Sequence, residues 1–71
     1  MPINEFFKQK LNAAVHKTIA GTQELIELTL EMVLSDEIDE TQQIELLKAV
    51  KGYRKFKEAL EVLRDSIREE E

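Results

Sequence analysis

The sequence contains no cysteine and no tryptophan, and only one histidine, one proline and two glycines in 71 residues. Without cysteine there is no disulfide, and a single histidine cannot build a structural zinc site alone. Small chains lean on such cross-links when their cores are small, so this one must draw its stability from packing. The proline is residue 2, which leaves Gly21 and Gly52 as the interior positions that interrupt helices. No apolar run approaches the roughly 20 residues of a membrane span. The amino terminus also lacks the basic, then apolar, then small-residue order of a secretion signal. A cytoplasmic protein with no membrane partner is expected.

Charged residues make up 35% of the chain and hydrophobic residues 42%, a balance that fits ordered helices with solvated faces better than disorder. The net charge of -5 argues against general affinity for nucleic acids or anionic membranes, although local clusters override a net value.

Periodicity supplies the fold. Phe7, Leu11, Ala14, Thr18, Gly21, Leu25, Leu28 and Met32 recur at alternating steps of four and three, as do Gln42, Leu46, Ala49, Tyr53, Phe56, Leu60, Leu63 and Ile67. The two series mirror each other about the stretch Ser35-Asp36-Glu37-Ile38-Asp39, as two antiparallel helices of equal length require. Mirrored partners also fit by size: Ala14 meets Leu60, Thr18 meets Phe56, Gly21 meets Tyr53 and Leu25 meets Ala49, small against large. The expected fold is all-α, a single domain over residues 1–71. It is an antiparallel helical hairpin with helices over about 4–34 and 39–69, dimerising into a four-helix bundle.

Local signals agree with those limits. Asn4 is a good cap for the first helix, with Glu5 in the first turn. Asp39 with Gln42 three residues on makes a capping-box pattern for the second. The closing Glu69-Glu70-Glu71 opposes the helix dipole and is expected to fray. A break at Gly21 with Thr22 capping a third helix is the structural alternative; the uninterrupted heptad phase favours one continuous helix.

The first helix carries a second stripe, Val15, Ile19, Thr22, Ile26, Thr29 and Val33, with a shorter counterpart at Leu47 and Val50. A hairpin cannot cover both stripes, and a lone two-helix seam buries little apolar surface for the entropy it must offset. A homodimer is therefore expected, with Val15, Ile19, Thr22, Ile26, Val33, Leu47 and Val50 at its interface. Leu30 and Ile44 take outward positions near the loop. With Leu34 and Ile38 they outline an apolar patch for a protein partner.

Lys48, Lys51, Arg54, Lys55 and Lys57 fall in an acid-free run, and the expected register sets Lys17 level with Lys57. This mid-helix basic belt is a candidate contact for phosphates or for an acidic protein partner, or a solvated face with pairs such as Arg54 with Glu58. The acidic cluster Glu31, Asp36, Glu37, Asp39 and Glu40 lacks the glycine and ligand spacing of a calcium loop. His16 has no histidine or cysteine to join it. Glu24, Glu27 and Glu31 lack the glutamate-to-histidine step of a di-iron bundle, since Ala13 precedes His16 at that spacing. Ser35 and Ser66 have no base at a catalytic spacing. No enzyme, cofactor or metal is expected.

In layout the expected dimer resembles Rop, the small plasmid-encoded RNA-binding hairpin dimer, a likeness of architecture with no shared motif. The function expected is that of a non-enzymatic regulatory or adaptor protein that binds macromolecules through an exposed helix face. A Rop-like RNA-binding regulator using the basic belt is the alternative.

Overall fold

The structure, a computed structural model, describes residues 4–69. It is an all-helical hairpin of α1 (Glu5–Val33) and α2 (Glu40–Glu69). Side chains fix the start of each helix. Asn4 Oδ1 accepts the Phe6 N–H at 2.8 Å, satisfying one of the donors that an α-helix leaves open in its first turn. At α2 the capping box is reciprocal: Asp39 Oδ1 accepts from Gln42 N–H at 2.8 Å, and Gln42 Oε1 accepts from Asp39 N–H at 3.0 Å. Of the glutamates expected to fray, Glu70 and Glu71 lie outside the described residues.

The connection is held by its own polar groups. Leu34 N–H donates to Leu30 O at 3.2 Å, Ser35 N–H to Met32 O at 3.1 Å, and Glu37 N–H to Ser35 Oγ at 2.9 Å. Gln43 Nε2 then donates to the Val33 carbonyl at 3.0 Å, so α2 caps the last turn of α1 and the two helices are tied in register at the loop.

No break occurs at Gly21. α1 runs through it without a positive φ, and Thr22 Oγ1 donates to the Thr18 carbonyl at 2.7 Å, the behaviour of a helix-interior threonine and not of a cap. The three-helix alternative is set aside. What results is a rod of 51 × 15 × 12 Å with a radius of gyration of 16.1 Å, against about 11 Å for a compact domain of this length.

The seam that closes the hairpin is not the expected one. Val15, Thr22 and Ile26 of α1 and Val50 and Ile67 of α2 are buried; Ile19, Thr29, Leu30, Val33, Leu46, Tyr53 and Leu60 are half-buried around them. Val15 and Val50 are 3% exposed, whereas Phe7 is 65% and Leu28 55% exposed. Ala14, Thr18 and Gly21 lie open, and a Cβ built on Gly21 would meet no heavy atom within 4 Å. The intrachain pairing of Gly21 with Tyr53, and the small-on-large register it belonged to, is therefore corrected. α1 is turned by about one residue, roughly 100°, and presents its second stripe to α2. That stripe is β-branched. Such side chains are already confined to one rotamer on a helix, so burying them costs little further entropy.

Candidate interaction surfaces

Turning α1 leaves an apolar face along the rod. In an antiparallel pair, the positions one residue before the seam on each helix point to the same side. On α1 these are Phe7, Ala14, Thr18, Gly21, Leu25 and Met32, flanked by Leu11 and Leu28. On α2 they are Gln42, Ala49, Phe56 and Leu63. Met32 lines one groove with Gln42 and Leu46, which puts the two stripes on a common side at the loop end. Glu45, one position before Leu46, is the charged member of this side and lines the same groove as Met32 and Gln42. Leu25, Leu28, Met32, Phe56 and Leu63 are all exposed. The opposite side is mixed: Gln23, Glu27 and Leu30 share a groove there with Arg54, Glu58 and Glu61.

The whole chain exposes 5706 Å², compared with about 4,600 Å² for a compact folded chain of 8.3 kDa. The surplus, about 1,100 Å², is of the same order as the roughly 800 Å² that each partner covers in a standard interface. Contiguous exposed apolar faces mark binding surfaces on soluble proteins.

The residues assigned from sequence to a dimer interface are distributed otherwise. Val15, Thr22, Ile26 and Val50 are buried within one chain, Ile19 and Val33 are half-buried in the same seam, and Leu47 is exposed on the opposite side. Six of the seven are thus engaged inside the hairpin. The physical reason is that both α1 stripes keep heptad phase, so either can meet α2, and the β-branched one does.

The basic belt is divided. Lys57 is half-buried in the seam, Lys51, Arg54 and Lys55 lie together on the mixed side, and Lys48 is exposed apart from them. Lys17 projects from the outer side of α1, away from α2, so it does not widen the belt. Lys57 instead shares a groove with Gln23, Ile26 and Glu27 of α1. Lys48 Nζ lies 3.6 Å from Glu45 Oε1. The expected Arg54–Glu58 pair does not form, and Lys51, Arg54 and Lys55 make no ion pair with a described residue. Leu30 and Leu47 line a groove with Val50, Lys51, Arg54 and Lys55. Ile44 and Leu34 are exposed near it, whereas Ile38 turns to the Met32 side.

His16 is exposed, as are Glu24, Glu27 and Glu31. Among the described residues no three His, Cys, Asp or Glu side chains converge as metal ligands, and no helix is long and apolar enough to cross a membrane. Two contributors had no sequence signal strong enough to find them. Gln43 caps α1 from another helix, which no local pattern encodes. Lys8 is buried at the far end of the seam, with Nζ 3.9 Å from Glu5 Oε1, and its aliphatic stem serves as packing there. Comparison with known proteins finds no matching family model, curated protein or solved structure.

Proposed function

We propose that this chain is a non-enzymatic regulatory or adaptor protein of the cytoplasm, assembled as a homodimeric four-helix bundle and acting by binding another macromolecule. One observation carries the self-association: the largely apolar face along both helices, with Glu45 at its loop end, on a molecule whose buried core includes only four hydrophobic side chains among the described residues. Covering that face with a second copy gives each helix a second neighbour at a right angle to the first, the arrangement of a four-helix bundle. The mixed side then remains outward. Its apolar floor at Leu30 and Leu47, beside Lys51, Arg54 and Lys55, is the surface left for a protein partner.

Light scattering across a concentration series tests the assembly directly. A dimer mass persisting to low micromolar concentration is the expected result, and a folded monomer at the highest concentration reached overturns it.

The unpaired cations Lys51, Arg54 and Lys55 favour a second reading, an RNA-binding regulator. Retention on heparin or a generic RNA at low salt, abolished by Lys51→Glu with Lys55→Glu, would promote it over the adaptor. Absence of binding at low salt removes it.

A further inference from the structure

We infer that the groove between α1 and α2 on the mixed side docks an amphipathic helix of another protein, acidic along the half that lies nearest the loop. This names the partner class for the surface left outward above, and it rests on the adaptor reading given there. The two depressions on this side share Leu30, Arg54 and Glu58, so they form one trough. Along α2 it reaches from Leu47 to Glu61, about 20 Å at 1.5 Å per residue. A helix of about 14 residues has that length. The floor is apolar: Ile26 and Val50 are buried, Leu30 is half-buried, and Leu47 is 48% exposed. Backbone accounting sets the form of the occupant. The trough walls are helices, whose main-chain groups are spent on their own hydrogen bonds, so an incoming strand finds no ladder to join. Laid there, it would lose water from its N–H and C=O groups without replacement. A helix arrives with those groups already paired, and the furrow between two packed helices accepts the side-chain ridge of a third.

Charge selects its sequence. Toward the loop the trough is flanked by Lys51, Arg54 and Lys55, none of which has an ion-pair partner among the described residues. Farther from the loop Glu27, Glu58 and Glu61 line it, beside the half-buried Lys57. Acids on the occupant are therefore attracted by the first half and repelled by the second. A uniformly acidic segment meets that repulsion and the net charge of -5 as well. The fitting helix carries glutamate or aspartate in its first turns and lysine or arginine in its last. That order also suits its own dipole, which favours acids at the N-terminus and bases at the C-terminus. It lies parallel to α2, with its N-terminus toward the loop.

The test is an NMR titration of the isotope-labelled full chain with a synthetic helical peptide of about 14 residues. The probe carries a leucine stripe at helical spacing, glutamates in its first half and lysines in its second. Saturable amide shifts centred on Leu30, Leu47, Lys51 and Arg54 are expected. Lys51→Glu with Lys55→Glu, both at exposed positions, should weaken the binding by at least about tenfold, since like charges then face each other. A peptide of the same composition with its leucine spacing broken should leave these amides unmoved. Equal shifts from both peptides, shifts centred instead on Leu25, Leu28 and Leu63, or no shift from the probe at the highest concentration reached overturn the docked helix and leave the adaptor reading standing. Shifts in the trough from poly-uridine RNA, with none from the peptide, overturn both and promote the RNA-binding regulator.

Discussion

The two stripes of α1 share a period and, over residues 14–33, an absence of charge, yet one is buried and the other open. Val15, Ile19, Ile26 and Val33 close on α2; Phe7, Leu25, Leu28 and Met32 do not. The buried stripe is β-branched and already rigid, while the open one combines long flexible or aromatic groups with the small residues Ala14, Thr18 and Gly21. Hydrophobicity alone does not separate them. Rotamer stiffness and local shape rank them, giving the smooth rigid stripe to the neighbour within the chain and leaving the knobbed one open.

That ranking is open to attack from both sides. Val50→Asp, in the buried seam, is expected to have the largest effect, because an unpaired buried carboxylate costs several kcal/mol, as much as a small domain possesses. Circular dichroism should show helicity lost at every protein concentration. Leu28→Asp, on the open stripe, should instead weaken self-association by about 10–100-fold, corresponding to about 1.5–3 kcal/mol of apolar burial. Sedimentation should show the dimer recovering as concentration rises. If Leu28→Asp abolishes helicity as fully as Val50→Asp does, the distinction between the stripes fails.

Two smaller changes calibrate the comparison. Asp39→Ala removes half of the capping box and should cost about 1 kcal/mol, read as a lower thermal midpoint in monomer and dimer alike. Gly21→Ala should raise helix stability by up to about 1 kcal/mol, since the added methyl meets nothing within 4 Å in the single chain. A gain seen in dilute protein and diminished in concentrated protein would show that something packs on Gly21 when chains associate.

The helix limits were legible because their causes are local. Asn4 with Glu5, and Asp39 with Gln42, state their caps within a single turn, and the structure forms both. Continuity through Gly21 followed from unbroken phase. The choice of seam was not legible: two adjacent stripes in the same heptad phase offer α2 two faces without saying which it takes. The mirrored size matching did not decide it either, since its small members Ala14, Thr18 and Gly21 lie open within the chain. Lys17 then went astray with the register, since turning α1 by one position carried it to the outer side of the rod.

Tyr53 sits half-buried at the edge between the closed seam and the open face, in a chain with no tryptophan and no second tyrosine. Its phenol is therefore a native optical reporter at the boundary of interest. Intrinsic emission and its accessibility to a dissolved quencher, followed during dilution, would register the covering of that face with no label attached.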